Sequence, residues 1–140
     1  MSTGKTALTA VQVAVMATLA NDGGLKTLVP GGVWDYVPAD PTWPFICLDS
    51  ADEVPEDRYG RQGRAVTLVL TVFSNYQGRS QQFDVVDAII RLLRHADLTI
   101  TGWKHLATWH LATRATSPFE QGNQRAGMSS VTMQVVVQET

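Results

Sequence analysis

Arg64-Ala-Val-Thr-Leu-Val-Leu-Thr-Val-Phe-Ser74, then Asn75-Tyr-Gln-Gly-Arg79, then Ser80-Gln-Gln-Phe-Asp-Val-Val-Asp-Ala-Ile-Ile-Arg-Leu-Leu-Arg-His-Ala96 reads as strand, polar corner and helix. Val66, Leu68, Leu70 and Val72 share one side of the first segment, and Thr67, Val69, Thr71 and Phe73 share the other. That period of two, rich in β-branched residues, predicts a central strand covered on both faces. In the third segment Phe83, Val86, Ile89, Ile90 and Leu93 recur at helical spacing, with Asp87 four residues ahead of Arg91 on the polar side. One face of this helix is expected to dock on the sheet. The corner is polar and short, and Gly78 with Ser80 supplies turn and N-cap chemistry.

Working outward, the 140-residue chain is 44% hydrophobic and 17% charged, the balance of one ordinary globular domain spanning residues 1–140 with no linker or repeat. Its 11 basic and 13 acidic side chains give a formal charge of -2, which excludes a global electrostatic attraction for nucleic acid or an anionic membrane. The one cysteine, Cys47, has no partner for an internal disulfide, and there is no signal-like segment or long apolar run. These features predict folding in a cytoplasm. Cys47 lies between Ile46 and Leu48 and reads as a small buried hydrophobe rather than a catalytic thiol.

Upstream, residues 1–5 read as a loose tail, and an alanine-rich helix starting at residues 6–8 runs to Asn21 with Leu8, Val11, Val15 and Leu19 on one stripe. Gly4-Lys5-Thr6 lacks the earlier glycine and the preceding strand that a phosphate-binding loop requires. Asn21-Asp-Gly-Gly24 stops the helix, residues 25–29 form a helical turn, and Pro30-Gly-Gly32 redirects the chain into a short extended piece at residues 33–36. The prolines of residues 37–44 force an extended crossing, with Trp34, Tyr36, Trp43 and Phe45 clustered around it, before a strand at residues 45–50. Residues 51–63 are expected to form a long loop, acidic at its start (Asp52, Glu53, Glu56, Asp57) and basic at its end (Arg58, Arg61). Such loops inside a compact domain are functional or disordered.

Downstream, residues 97–102 give a small edge piece and a turn. Residues 103–116 read as a long strand with His105, Ala107, Trp109 and Leu111 on one side and Leu106, Thr108, His110 and Ala112 on the other. A polar connection at residues 117–127 leads to the last strand, residues 128–138, which pairs antiparallel with it. The fold class is therefore α+β, a mainly antiparallel sheet with two principal helices packed on it.

Enzymatic signatures do not emerge. His105 and His110 are an odd number of residues apart, so on a regular strand they point to opposite faces and only a bulge would let them share a metal. His95 ends a helix, where a cation suits the dipole. No serine sits in a nucleophile elbow, no nucleotide fingerprint occurs, and the 51–63 carboxylates match no calcium loop. Neither catalytic residues nor a cofactor nor a metal set is expected.

The order of features across nearly the whole chain resembles the tail-completion, or tail terminator, proteins of long-tailed bacteriophages and related gene-transfer particles. The residues that carry the resemblance are the alanine-rich first helix, Leu28-Val-Pro-Gly-Gly-Val-Trp-Asp35, Val37-Pro38 followed by Trp43-Pro-Phe-Ile-Cys-Leu48, the polar loop, Thr67-Leu-Val-Leu-Thr-Val-Phe-Ser74 and the helix at 78–93. The resemblance implies a structural virion protein at the head–tail junction, assembled in the bacterial host cytoplasm. There a homo-oligomeric ring, commonly a hexamer, caps the head-proximal end of the tail tube, stops tube growth and joins the tail to the head connector. Implied partners are further copies of the chain, the tail tube protein and the connector or stopper, with DNA passing through the channel without specific binding and no membrane involved. For contacts with a neighbour or the tube, the divided charge of the loop singles out Asp52, Glu53, Glu56, Arg58 and Arg61. Two other readings fit the same residues: a head-side neck or connector ring component, and a monomeric small-ligand-binding domain using Trp34, Tyr36 and Trp43.

Overall fold

The computed structural model describes residues 6–37, 39–57, 60–74, 80–115, 119–121 and 124–140. The expected tail at 1–5, the corner at 75–79 with Gly78, and the contact residue Arg58 lie outside the described residues. In chain order the elements are α1 (Leu8–Ala20), α2 (Gly23–Leu28), β1 (Val33–Trp34), β2 (Phe45–Pro55), β3 (Gly63–Ser74), α3 (Ser80–His95), β4 (Trp103–Ala115), β5 (Phe119–Gln121) and β6 (Gln124–Glu139). The strands line up as β1-β2-β3-β6-β4, with β5 folding back on the start of β6. β1 runs parallel to β2, and the other pairings are antiparallel. This is the α+β architecture expected, with β3 at its centre between β2 and β6.

Registers assign the faces. Leu48, Leu70 and Val131 lie across from one another, as do Ala51, Leu68 and Met133 and then Glu53, Val66 and Val135. Apart from Leu48, Ala51 and Glu53, these residues are fully buried, and they join Val11, Val15 and Leu19 of α1 and Val85, Ile89 and Leu93 of α3 in one core. The helices thus cover a single face. On the other, Thr67, Val69, Phe73, Ser130, Thr132 and Gln134 are half-buried while Ala65, Thr71 and Val136 are buried, so this side of β3 is less completely covered than the helix side.

The sequence pattern places Phe83 on the docking face of α3, but Phe83 is 46% exposed and the neighbouring Gln82 is buried in its stead. A polar network accounts for this: Ser129 Oγ donates to Gln82 Oε1 at 2.7 Å, and Ser74 Oγ donates to the Gln81 side chain. Gly127 permits it, because a Cβ there would meet Gln82 Nε2 at 2.1 Å. A satisfied buried glutamine can replace an apolar contact where backbone and hydroxyl partners converge.

The turn before β1 has its own requirements. A Cβ on Gly31 would lie 1.8 Å from the Thr42 carbonyl oxygen, Gly32 adopts φ +86°, and Trp34 Nε1 donates to the Gly31 carbonyl at 2.7 Å. The Gly-Gly-Val-Trp run therefore fixes how the chain enters the proline-rich crossing. Aromatic contacts there fall into two sets: Trp34 edge-on to Tyr36, and Trp43 against Phe45, which stacks on Phe73 with ring centroids 4.9 Å apart.

Three boundaries differ from expectation. β2 continues to Pro55 and β3 starts at Gly63, so half of the expected loop is strand. β6 begins at Gln124 and pairs with β5, so the connection at 117–127 is largely a second hairpin. In β4, register shifts between His105 and Ala107 and between His110 and Ala112 insert bulges. Consequently His105 pairs with Val137 and His110 with Met133, which puts both imidazoles on the helix-covered face rather than on opposite ones.

Candidate functional site

Strand β2 presents its side chains alternately. Asp52, opposite Thr67, is exposed on the uncovered face, whereas Glu53, opposite Val66, turns inward and its side chain keeps 15% of its exposure. Glu53 Oε1 accepts the Ala7 N–H at 2.5 Å. Helix α1 has no side-chain cap and no acidic residue in its first turn, so this carboxylate, borrowed from a strand, sits where the helix dipole favours negative charge.

Glu53 has a second partner. Arg64, whose side chain is 11% exposed, holds Nε 3.7 Å from Glu53 Oε2 and Nη1 3.6 Å from Asp57 Oδ1. Its Nη1 donates to the Gly63 carbonyl at 2.7 Å, and its guanidinium carbon lies 6.0 Å from the centre of the Trp103 ring. A cation in this position needs those partners, since an unpaired buried charge is costly. The Arg64 cluster therefore joins α1, β2, β3 and β4.

The hairpin end is tied down in the same way. Glu56 N–H donates to the Gly63 carbonyl at 2.9 Å, Gly63 N–H donates to Asp57 Oδ1 at 3.0 Å, and Glu139 N–H donates to the Gln62 carbonyl at 2.9 Å. Gly63 allows this closeness, because a Cβ would lie 2.2 Å from the Glu56 carbonyl oxygen. Of the described contact residues, then, Asp52 and Arg61 are exposed, Glu56 is half-buried and Glu53 is engaged within the chain.

The groups considered for chemistry have local partners. His105 Nε2 lies 2.6 Å from Thr108 Oγ1 and His110 Nε2 lies 2.7 Å from Thr113 Oγ1. Among the described residues no three His, Cys, Asp or Glu side chains group to hold a metal. Burial pushes the Cys47 thiol pKa up, and the carboxylates of Asp49 and Asp35 push it further, which keeps the sulfur protonated and unreactive. A cavity of about 320 Å³ opens between α1, α2 and β1, lined by Leu19, Leu25, Val29 and Val33 among others. Its walls are mainly apolar, with Lys26 the one charged lining residue among those described, and present no convergent set of catalytic groups.

The sequence model of the family described as tail completion protein gp17 matches residues 13–137. The chain belongs to this family. A solved chain from a structure described as "Virion of native gene transfer agent (GTA) particle" superposes with a TM-score of 0.81 at 23% identity, over 93% of this chain and 96% of that one. Among curated proteins, none matches. The match takes in every element from α2 to β5, most of α1, and β6 as far as Val137.

For this tail completion protein, sequence reasoning missed the inward turn of Glu53. The side chains from Ala51 to Val54 alternate half-buried and exposed, but with the apolar Val54 outward and the charged Glu53 inward, the reverse of what residue type suggests. The inward position holds a carboxylate, which a hydrophobic period does not register.

Proposed function

We propose that this tail completion protein is the tail terminator of its particle. As one domain over residues 1–140, it would form a homo-oligomeric ring, with six subunits as the expected number, at the head–tail junction. The ring caps the head-proximal end of the tail tube, ends tube polymerisation and joins the tail to the head connector. It works as a structural part and not as an enzyme.

The observation that carries the reading is the family match over residues 13–137, seated on a sheet with one uncovered face. Trp109 and Leu111 are 50% and 51% exposed, close together on β4, an apolar pair that a neighbouring subunit would cover. On β3 and β6 the uncovered face presents Thr67, Val69, Ser130, Thr132 and Gln134, uncharged residues flanked by Asp52 of β2 and by Lys104 and Arg114 of β4. At the hairpin end, Asp52, Glu56, Arg58 and Arg61 are the proposed contacts with a neighbour or the tube, and Glu53 supports them from within.

Electron microscopy of particles produced without this chain tests the proposal. Tails of uncontrolled length, or tails detached from heads, are expected. Tails of normal length joined to heads would contradict it.

A further inference from the structure

Charge in this chain is sorted by sheet edge. Residues 27–57 contain seven carboxylates, from Asp35 to Asp57, and not one Lys, Arg or His. Residues 98–119 contain Lys104, His105, His110 and Arg114 and not one Asp or Glu, and the nearest carboxylate before them, Asp97, lies 3.9 Å from His105 and away from Arg114 in sequence. The order β1-β2-β3-β6-β4 sets these two segments at opposite edges of the sheet. On the β1–β2 edge Asp49 and Asp52 are exposed; on the β4 edge Lys104 and Arg114 are exposed, with Trp109 and Leu111 between them.

We infer that copies of this chain meet head to tail, the acidic β1–β2 edge of one against the basic, apolar β4 edge of the next. This deepens the ring reading above and rests on it. Two β4 edges facing each other would set Lys104 and Arg114 against the same charges, and two β2 edges would set aspartates together, so contacts between like edges are disfavoured. A contact between unlike edges is heterologous, and repetition of a heterologous contact closes a ring when the rotation permits.

Side chains, not an added strand, make this contact. Pro55 and the bulge at Asp49 interrupt the β2 edge, and the two bulges of β4 interrupt the other, devices that block continuous backbone pairing. The bulge after His110 adds an unpaired residue, Leu111, beside Trp109 on that edge. The second copy then supplies cover for these apolar groups and counter-charge for Lys104 and Arg114.

The test compares three forms of the full chain by native mass measurement across concentration: wild type, Asp49→Lys/Asp52→Lys, and Lys104→Asp/Arg114→Asp. Thermal melts followed by circular dichroism should match across the three, since all four positions are exposed. Wild type is expected to form rings that weaken as salt rises. Each double variant should raise the concentration for half-assembly by at least about tenfold. An equimolar mixture of the two variants should reassemble into rings with an even number of subunits, because each then offers the edge that the other needs. Rings unaffected by either reversal, or a mixture that stays dissociated, would overturn the inference and leave the ring reading standing. Wild type that remains a monomer at every concentration and salt would overturn the ring reading itself.

Discussion

Glu53 shows how one side chain can serve the fold where its sequence neighbours suggest a surface role. Its two oxygens serve the Ala7 N–H and the Arg64 guanidinium, so Glu53→Ala removes a helix-end acceptor and one partner of a buried cation. A loss of about 1–3 kcal/mol is expected in denaturant unfolding, the cost of leaving buried polar groups unmatched. Asp52→Ala, one residue away but exposed, should change stability by no more than about 0.5 kcal/mol. Equal effects would remove Glu53 from the core. Cys47 offers a second check at this scale. With its pKa raised by burial and by Asp49 and Asp35, the native thiol should resist alkylation at neutral pH and react freely once the chain is unfolded. Because the fold holds this proton more tightly than the unfolded chain does, stability is complete below the ordinary thiol pKa and falls as pH rises through the folded one. Rapid labelling of folded protein would contradict this account. The buried reading of Cys47 was legible from its flanking Ile46 and Leu48, whereas Gln82 replacing Phe83 in the core was not, since the hydroxyl of Ser129 that satisfies it lies 47 positions away in sequence.

Among the elements, β3 and α3 were the most legible because their apolar periods are long and uninterrupted. Ile89 is fully buried, so Ile89→Asp should leave no folded protein, while Arg94→Asp on the exposed side should be mild. Comparable soluble yields from the two would show that α3 docks by another face. The ends of β2 and the bulges of β4 were not legible, for separate reasons. In β2 the inward position holds a charge; in β4 each inserted residue resets the period of two, so a single alternation drawn through residues 103–116 puts His110 on the wrong face. The shorter hairpin end also changes which residues can be removed safely. Replacing residues 58–61 by a Gly-Asn turn spares Glu53, Asp57 and the Gln62 bonds, and should shift stability by less than about 1 kcal/mol. If the tip touches a neighbour or the tube, the folded variant should assemble poorly into particles. Normal incorporation would confine the contacts to the sheet edges.

At the scale of the molecule, the order of elements was enough to carry the resemblance to tail-completion proteins, and the family match over residues 13–137 bears it out. The sorting of charge by edge was not visible along the chain. It depends on β6 inserting between β3 and β4, which carries the cationic strand to the far edge from Asp49 and Asp52. Along the chain the same charges form one loop of divided sign, part of which the fold neutralises through Arg64. If this chain forms the ring between tail tube and head connector, a cryo-electron microscopy reconstruction of the intact particle will show a closed ring of this fold at the head–tail junction, with β4 of each subunit against β2 of the next. A junction built without this chain would rule that role out.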